Sequence, residues 1–187
     1  PVAAAVIGLA GGLGIRTVAF TWESIEGTHG LLTRWRRRRV LTKVDAVIGG
    51  NQLAAALAAQ ARPGRPVGVI PQLGVSPPLA PTRTPHRGLA LVCVGRLVPE
   101  RGLDVLLRAC VKLLGYWTLT VVGSGPSQEQ FEVLAEQLGI AARVTWLGPV
   151  PPSERGRLWP ETDCIVVPSR ATPRWVEGSN QVLLEAM

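Results

Sequence analysis

The stretch LALVCVGRLVPERGLDVLL (Leu89–Leu107) sets the architecture. From Leu89 to Val94 the residues are apolar and β-prone without a break, which reads as a strand buried on both faces. The run ends at Gly95 and Arg96. Beyond Arg101 and Gly102 the period changes, and Leu103, Leu106, Leu107, Cys110 and Leu114 recur at three- and four-residue spacing. That spacing predicts a helix with one apolar face, which packs back on the strand. Strand, glycine-bearing loop and amphipathic helix make one βα step of a parallel sheet.

The step recurs in both directions. Predicted strands cover Thr17–Phe20, Ala46–Gly49 and Val67–Ile70 upstream, and Thr118–Val122, Val144–Leu147 and Cys164–Val167 downstream. Asn51 is expected to cap the helix QLAAALAAQ. Phe131, Leu134, Ala135 and Leu138 give a further helical face, with Ser127 and Gln130 spaced as a capping box and Gly139 as the stop. The alternation fails once, in PQLGVSPPLAPTRTPHRG (Pro71–Gly88), which holds five prolines and no periodicity. This segment reads as a linker between two α/β domains, 1–80 and 81–187. Neither domain is expected to be complete, since the first reads as beginning inside a helix and the second as ending inside one. There is no internal repeat.

With 187 residues and 47% hydrophobic content the chain can bury a core, which argues against disorder. The net charge of +7 is one local feature: RWRRRRVLTK (Arg34–Lys43) carries six positive charges and no acid, and the rest is close to neutral. On a helix these arginines point almost all round, and only Val40, Leu41 and Val44 approach a common face. Two readings stand: a solvated Arg-rich surface, or electrostatic contact of Arg34, Arg36, Arg37, Arg38, Arg39 and Lys43 with an anionic membrane. Nucleic acid is not expected, because few aromatics interleave with the cations and no recognition motif is present. Cys93, Cys110 and Cys164 are odd in number, lack CxxC spacing, and are expected to be small buried core residues in a reducing compartment. The opening segment is broken by glycines without a basic leader, and reads as a helix and strand of a soluble domain instead of a signal. The expected location is the cytoplasm, with the inner face of the membrane as the extension of the lipid reading.

Parallel sheets bind ligands at the carboxyl ends of their strands, so the loops there carry the chemistry. Gly95, Arg96, Arg101 and Gly102, beside a helix start, suit an anion such as phosphate; the alternative is that the arginines pair with surface carboxylates. Gly123 and Gly125 in VVGSGPSQEQ are expected to be structural, because their spacing is not that of a dinucleotide fingerprint. In CIVVPSRATPRWVEGSNQVLLEAM, Glu177 precedes a helix starting near Asn180 that carries Glu185. Eight helical residues advance about 12 Å, so the two acids can address opposite ends of an extended ligand. A sugar nucleotide fits, with Glu185 accepting from ribose hydroxyls, Glu177 from a sugar hydroxyl, and amides near Gly178–Gln181 between them. No DxD occurs, since Asp45, Asp104 and Asp163 are each followed two positions later by an aliphatic residue. A bound metal is therefore not expected, and no cofactor is. Charge on a departing diphosphate then falls to Arg96, Arg101 and helix dipoles. His29 and His86 read as solvated loop residues; Trp22, Trp35 and Trp175 read as core or domain-edge packing, with stacking on an acceptor or sugar ring as the alternative.

VGRLVPERGLDVLLRA, LTVVGSGP, VTWLGPVP, DCIVVPSRATPRW and VEGSNQVLLEAM, in this order, resemble the donor-binding half of the retaining glycosyltransferases of family 4. VAFTWESI, KVDAVIGGN and VGVIPQLGVSP resemble the later part of that family's acceptor-side domain. The resemblance implies a GT-B fold of two Rossmann-like domains, both incomplete here. It implies that Arg96 and Arg101 hold the donor diphosphate, Glu177 the transferred sugar and Glu185 the ribose. Pro149 and Val150 would approach the base through their backbone, and Gly95, Gly178, Ser179 and Asn180 would line the donor site. The implied reaction moves a sugar from a nucleoside diphosphate sugar to a glycan, lipid-linked or cell-envelope acceptor. It proceeds with retention and without metal, by front-face attack in which the leaving phosphate helps deprotonate the acceptor.

Departures from the pattern are visible. Arg101 stands where the family usually has Lys, and Ser179 and Asn180 where it has Phe-Gly. The family's amino-terminal Gly-rich loop and its segment beyond Met187 do not occur, which implies a middle piece that is inactive alone. Two rivals remain: a sugar-nucleotide epimerase on the same architecture, and a non-catalytic module binding nucleotide sugar or anionic lipid.

Overall fold

Residues 2–22, 30–71, 83–172 and 181–186 are described by a computed structural model. Two compact units divide them, one containing residues up to 71 and Thr172, the other 83–171 with 181–186.

In the first unit the order is α1 (Val2–Gly12), β1 (Val18–Thr21), α2 (Leu31–Lys43), β2 (Ala46–Gly49), α3 (Gln52–Ala61) and β3 (Val67–Val69). The strands lie in the order β1-β2-β3, all parallel, because each consecutive pair is joined by a helix. Leu41 and Val44 reach the core with Val47 and Ala58, and the arginines of α2 ring the remaining surface. Asn51 caps α3 as expected, its Oδ1 accepting from the Ala54 N–H at 2.8 Å. Arg62, only 2% exposed, donates from Nη2 to the carbonyls of Val44 (3.1 Å) and Asp45 (3.2 Å), tying the end of α3 to the turn before β2.

The second unit contains β4 (Leu89–Val94), α4 (Leu103–Cys110), β5 (Trp117–Val122), α5 (Gln128–Gln137), β6 (Val144–Gly148), β7 (Cys164–Ile165) and α6 (Gln181–Ala186). Its sheet runs β6-β5-β4-β7, again all parallel. Alternate residues of the central strands enter two different cores. Leu91, Cys93, Leu119 and Val121 join Leu103, Leu107 and Phe131 on one face; Val92, Val94 and Val122 join Trp159 and Val182 on the other. Burial on both faces explains why these strands are continuous apolar runs.

Some local expectations fail. Helix α4 ends at Cys110, and Leu114 is 98% exposed, because the chain tightens after the helix and turns through Gly115 (φ 80°) into β5. Ser127 makes no capping bond to α5: it has φ −98° and ψ 9°, it is buried, and its amide donates instead to the Leu97 carbonyl at 3.0 Å. The stop at Gly139 does form. Its φ of 69° lets Ile140 N–H reach Ala135 O (3.0 Å) and Gly139 N–H reach Glu136 O (2.9 Å), the paired bonds of a Schellman ending. Strand β7 is only two residues long and pairs with β4 alone, which leaves Cys164 exposed while Cys93 and Cys110 are buried as expected. Among the described residues no helix is long and apolar enough to cross a membrane.

Candidate donor site

From β4 the chain steps to β5 and then β6 in one direction, and then crosses back to lay β7 on the opposite side of β4. The direction of winding therefore reverses between β4 and β7, and loops leaving the two strands part to open a crevice. Gly95, Arg96 and Arg101 line a small cavity there with Val167, Pro168 and Ser169. The stem of Arg101 lies along Gly95, where an added Cβ would sit 3.7 Å from Arg101 Cδ. Arg96 is exposed and Arg101 half-buried. Beneath them, burial pushes the Cys93 thiol up to about 11, with the charge of Arg101 acting in the opposite direction. Two guanidinium-bearing side chains, Arg96 and Arg101, are thus brought to the carboxyl end of β4.

Close backbone approaches fix these loops. A Cβ on Gly123 (φ 137°) would strike the Gly95 carbonyl, and one on Gly125 would strike that of Leu97, so both glycines have the structural role expected of them. Gly102 (φ 68°) begins α4 directly against the Pro168 carbonyl. Arg170 joins the same two loops: its N–H donates to Glu100 O (2.9 Å), its Nη2 to Pro99 O (2.7 Å), and its guanidinium lies 3.2 Å from Asp104 Oδ1. As a lone arginine in an irregular loop, Arg170 carries no local sequence signal.

A second cluster lies on α6. Arg155 Nη1 donates to both oxygens of Glu185, at 3.1 and 3.0 Å, and Arg155 Nε donates to Val150 O at 3.2 Å. The two charged side chains are 19% and 11% exposed. Glu185 and the Pro149–Val150 segment, read separately in the sequence as ribose and base contacts, are joined here by an arginine that the sequence reading did not single out. Glu177, Gly178, Ser179 and Asn180 lie outside the described residues.

Residues 80–187, more than half the chain, match the family described as Glycosyl transferases group 1. The chain belongs to that family. It is 35% identical over 101 residues to the GDP-mannose-dependent alpha-(1-6)-phosphatidylinositol monomannoside mannosyltransferase of Mycolicibacterium smegmatis, covering 51% of this chain and 26% of that protein. It is 33% identical over 137 residues to the D-inositol 3-phosphate glycosyltransferase of Rhodococcus jostii, covering 68% of this chain and 27% of that protein. Among solved structures, Anabaena HepE in complex with UDP superposes with a TM-score of 0.80 at 18% identity, over 98% of this chain and 54% of that one. Sucrose-phosphate synthase from Thermosynechococcus elongatus gives 0.71 at 20% identity, over 92% and 48%. The fold is accordingly the α/β, GT-B class expected, and the matched region is about a quarter of the length of these curated relatives.

Elsewhere in this group 1 chain, His86 is an exposed loop residue, as expected, and it has an acidic neighbour. Its Nε2 lies 3.4 Å from Asp163 Oδ2, and Asp163 also accepts from Arg83 Nη2 and from the Ala90 N–H, each at 2.9 Å. Asp163 thus pins the chain entering β4 to the start of β7. Trp22 packs edge-on to Phe20, with centroids 5.5 Å apart, and its ring fills the space a Cβ on Gly50 would need. Trp35 is not core: it is 56% exposed, with the Arg39 guanidinium 5.2 Å from its ring centroid. His29 and Trp175 lie outside the described residues.

Proposed function

We propose that the protein is a retaining glycosyltransferase that moves a sugar from a nucleoside diphosphate sugar to an acceptor, with residues 81–187 serving the donor and 1–80 belonging to the acceptor side. The observation that carries this reading is the placement of Arg96 and Arg101 at the reversal between β4 and β7. Negative charge accumulates on the diphosphate as the glycosidic bond breaks, and fixed cations in a partly desolvated crevice stabilise it most where it develops. Glu185 accepts from ribose, Val150 and Pro149 face the base, and Glu177 holds the sugar with Gly178, Ser179 and Asn180. The leaving phosphate takes the acceptor's proton on the same face, so configuration is retained. Two arginines supply the charge that a divalent metal supplies elsewhere, and no metal is required.

Helix α2 suits a second task on the acceptor side, electrostatic contact with an anionic membrane. Leu31 (83% exposed), Leu32 (59%) and Trp35 (56%) stand among exposed arginines. Cations near an anionic lipid surface contribute roughly 1 kcal/mol each. A lipid-linked acceptor at the inner face of the cell membrane fits this arrangement.

Titration calorimetry with UDP and GDP, in EDTA, tests the donor reading. Wild-type protein should bind one of them, and Arg96→Ala or Arg101→Ala should weaken that binding about tenfold or more, the worth of one charge-assisted hydrogen bond. Unchanged affinity in both variants refutes the phosphate roles.

A further inference from the structure

Glu185 is one carboxylate with about four acceptor sites, and a ribose presents two adjacent hydroxyls to it. To accept from both, the carboxylate plane must be held, and a glutamate side chain has three rotatable bonds to hold it with. Arg155 supplies the restraint, because Nη1 reaches both oxygens and leaves further lone pairs on each. Its Nε meanwhile holds the Val150 carbonyl, so one planar guanidinium sets the carboxylate and the 149–150 backbone relative to each other. A lysine in its place could not grip both.

We propose that Arg155 is the positioning residue of the nucleoside end of the donor site: it orients Glu185 for the ribose diol and couples that carboxylate to the base-facing segment at Val150. The inference rests on the donor-site reading above and goes beyond it by assigning discrimination at the nucleoside to a residue that acts through Glu185 and the Val150 carbonyl.

The test compares UDP and GDP with their 2′,3′-dideoxy forms, titrated against the full chain as wild type, Arg155→Met, Glu185→Gln and the double variant. Wild type should prefer the hydroxyl-bearing nucleotide by on the order of tenfold. In Arg155→Met the preference should fall toward one while the affinity for the dideoxy form changes little, and adding Glu185→Gln should cost no more. An arginine that merely supports the fold would lower both affinities together and leave the ratio intact. A wild-type ratio retained in folded Arg155→Met overturns the proposal while sparing the donor site. Wild-type protein that binds no nucleoside diphosphate overturns the donor site and the proposal together. If Arg155→Met does not fold, Arg155→Lys serves: a reduced ratio at wild-type melting temperature supports the coupling, and a full ratio refutes it.

Discussion

Replacing Gly102 by Ala should be more damaging than replacing Gly139 by Ala, although the two backbones are nearly the same. Gly102 has φ 68° and Gly139 φ 69°. Each substitution places an L side chain in the left-handed region, at about 1–2 kcal/mol. They differ in their surroundings. A Cβ at Gly139 meets nothing within 4 Å, whereas one at Gly102 strikes the Pro168 carbonyl. To relieve that collision the loop after β7 must move away from α4, and the two hydrogen bonds from Arg170 to Pro99 and Glu100 span that gap. Losing both adds about 1 kcal/mol apiece, with the partly exposed Arg170–Asp104 pair adding less. Gly102→Ala should therefore cost about 3–4 kcal/mol in the second unit, against about 1–2 for Gly139→Ala. Amide hydrogen exchange of β4 and β5 along a urea series reads that unit alone. Equal costs for the two substitutions would show that the β7 loop yields freely, and would remove the argument that the crevice is rigidly built.

Leu107→Ala, at a fully buried position of α4, should destabilise the second unit by about 2–5 kcal/mol in the same experiment. At pH 8 a thiol-alkylating reagent should modify exposed Cys164 and spare Cys93 and Cys110 until the protein unfolds, as peptide mass analysis would show. The Cys93 thiol is raised from 9.0 to about 11 in the folded state, so the folded chain holds its proton longer than the unfolded chain. Its contribution is thus fully present below pH 9 and declines as pH rises from 9 to 11, a slope that Cys93→Ala should remove from the stability curve. On the role proposed for Glu177 at the sugar, Glu177→Ala in the full-length protein should lower turnover more than nucleotide affinity.

Strand positions were legible because doubly buried parallel strands are unbroken apolar runs; Leu89–Val94 was predicted to the residue. Helix faces were equally legible from Leu103, Leu106 and Leu107. Failures fell where local sequence competes with packing. Leu114 continues the apolar period of α4, yet the chain has already turned toward Gly115. Ser127 has the spacing of a capping box, but its amide is committed to Leu97. At the site, Gly95, Arg96 and Arg101 could be read together because one loop carries them. Arg155 and Arg170 could not, because each acts on partners 30 and 71 residues away, Glu185 and Pro99. Sheet order is the missing information, since nothing local tells the chain to return across β4 after β6.

The two cationic features of the chain should separate under salt. On α2 the guanidiniums of Arg34, Arg36, Arg38 and Arg39 are exposed, so any attraction to an anionic surface is screened over a Debye length of about 8 Å at physiological ionic strength. Arg101 is half-buried against Gly95 and Arg155 is 19% exposed, and charges so placed are screened far less. Raising salt should therefore release the protein from phosphatidylserine vesicles while nucleoside diphosphate binding falls only modestly. Vesicle binding that survives 1 M salt would mean that Leu31, Leu32 and Trp35 insert by apolar burial, and that the arginines only accompany them. Nucleotide binding that collapses in parallel would mean that Arg96, the exposed member of the pair, carries most of the diphosphate's charge.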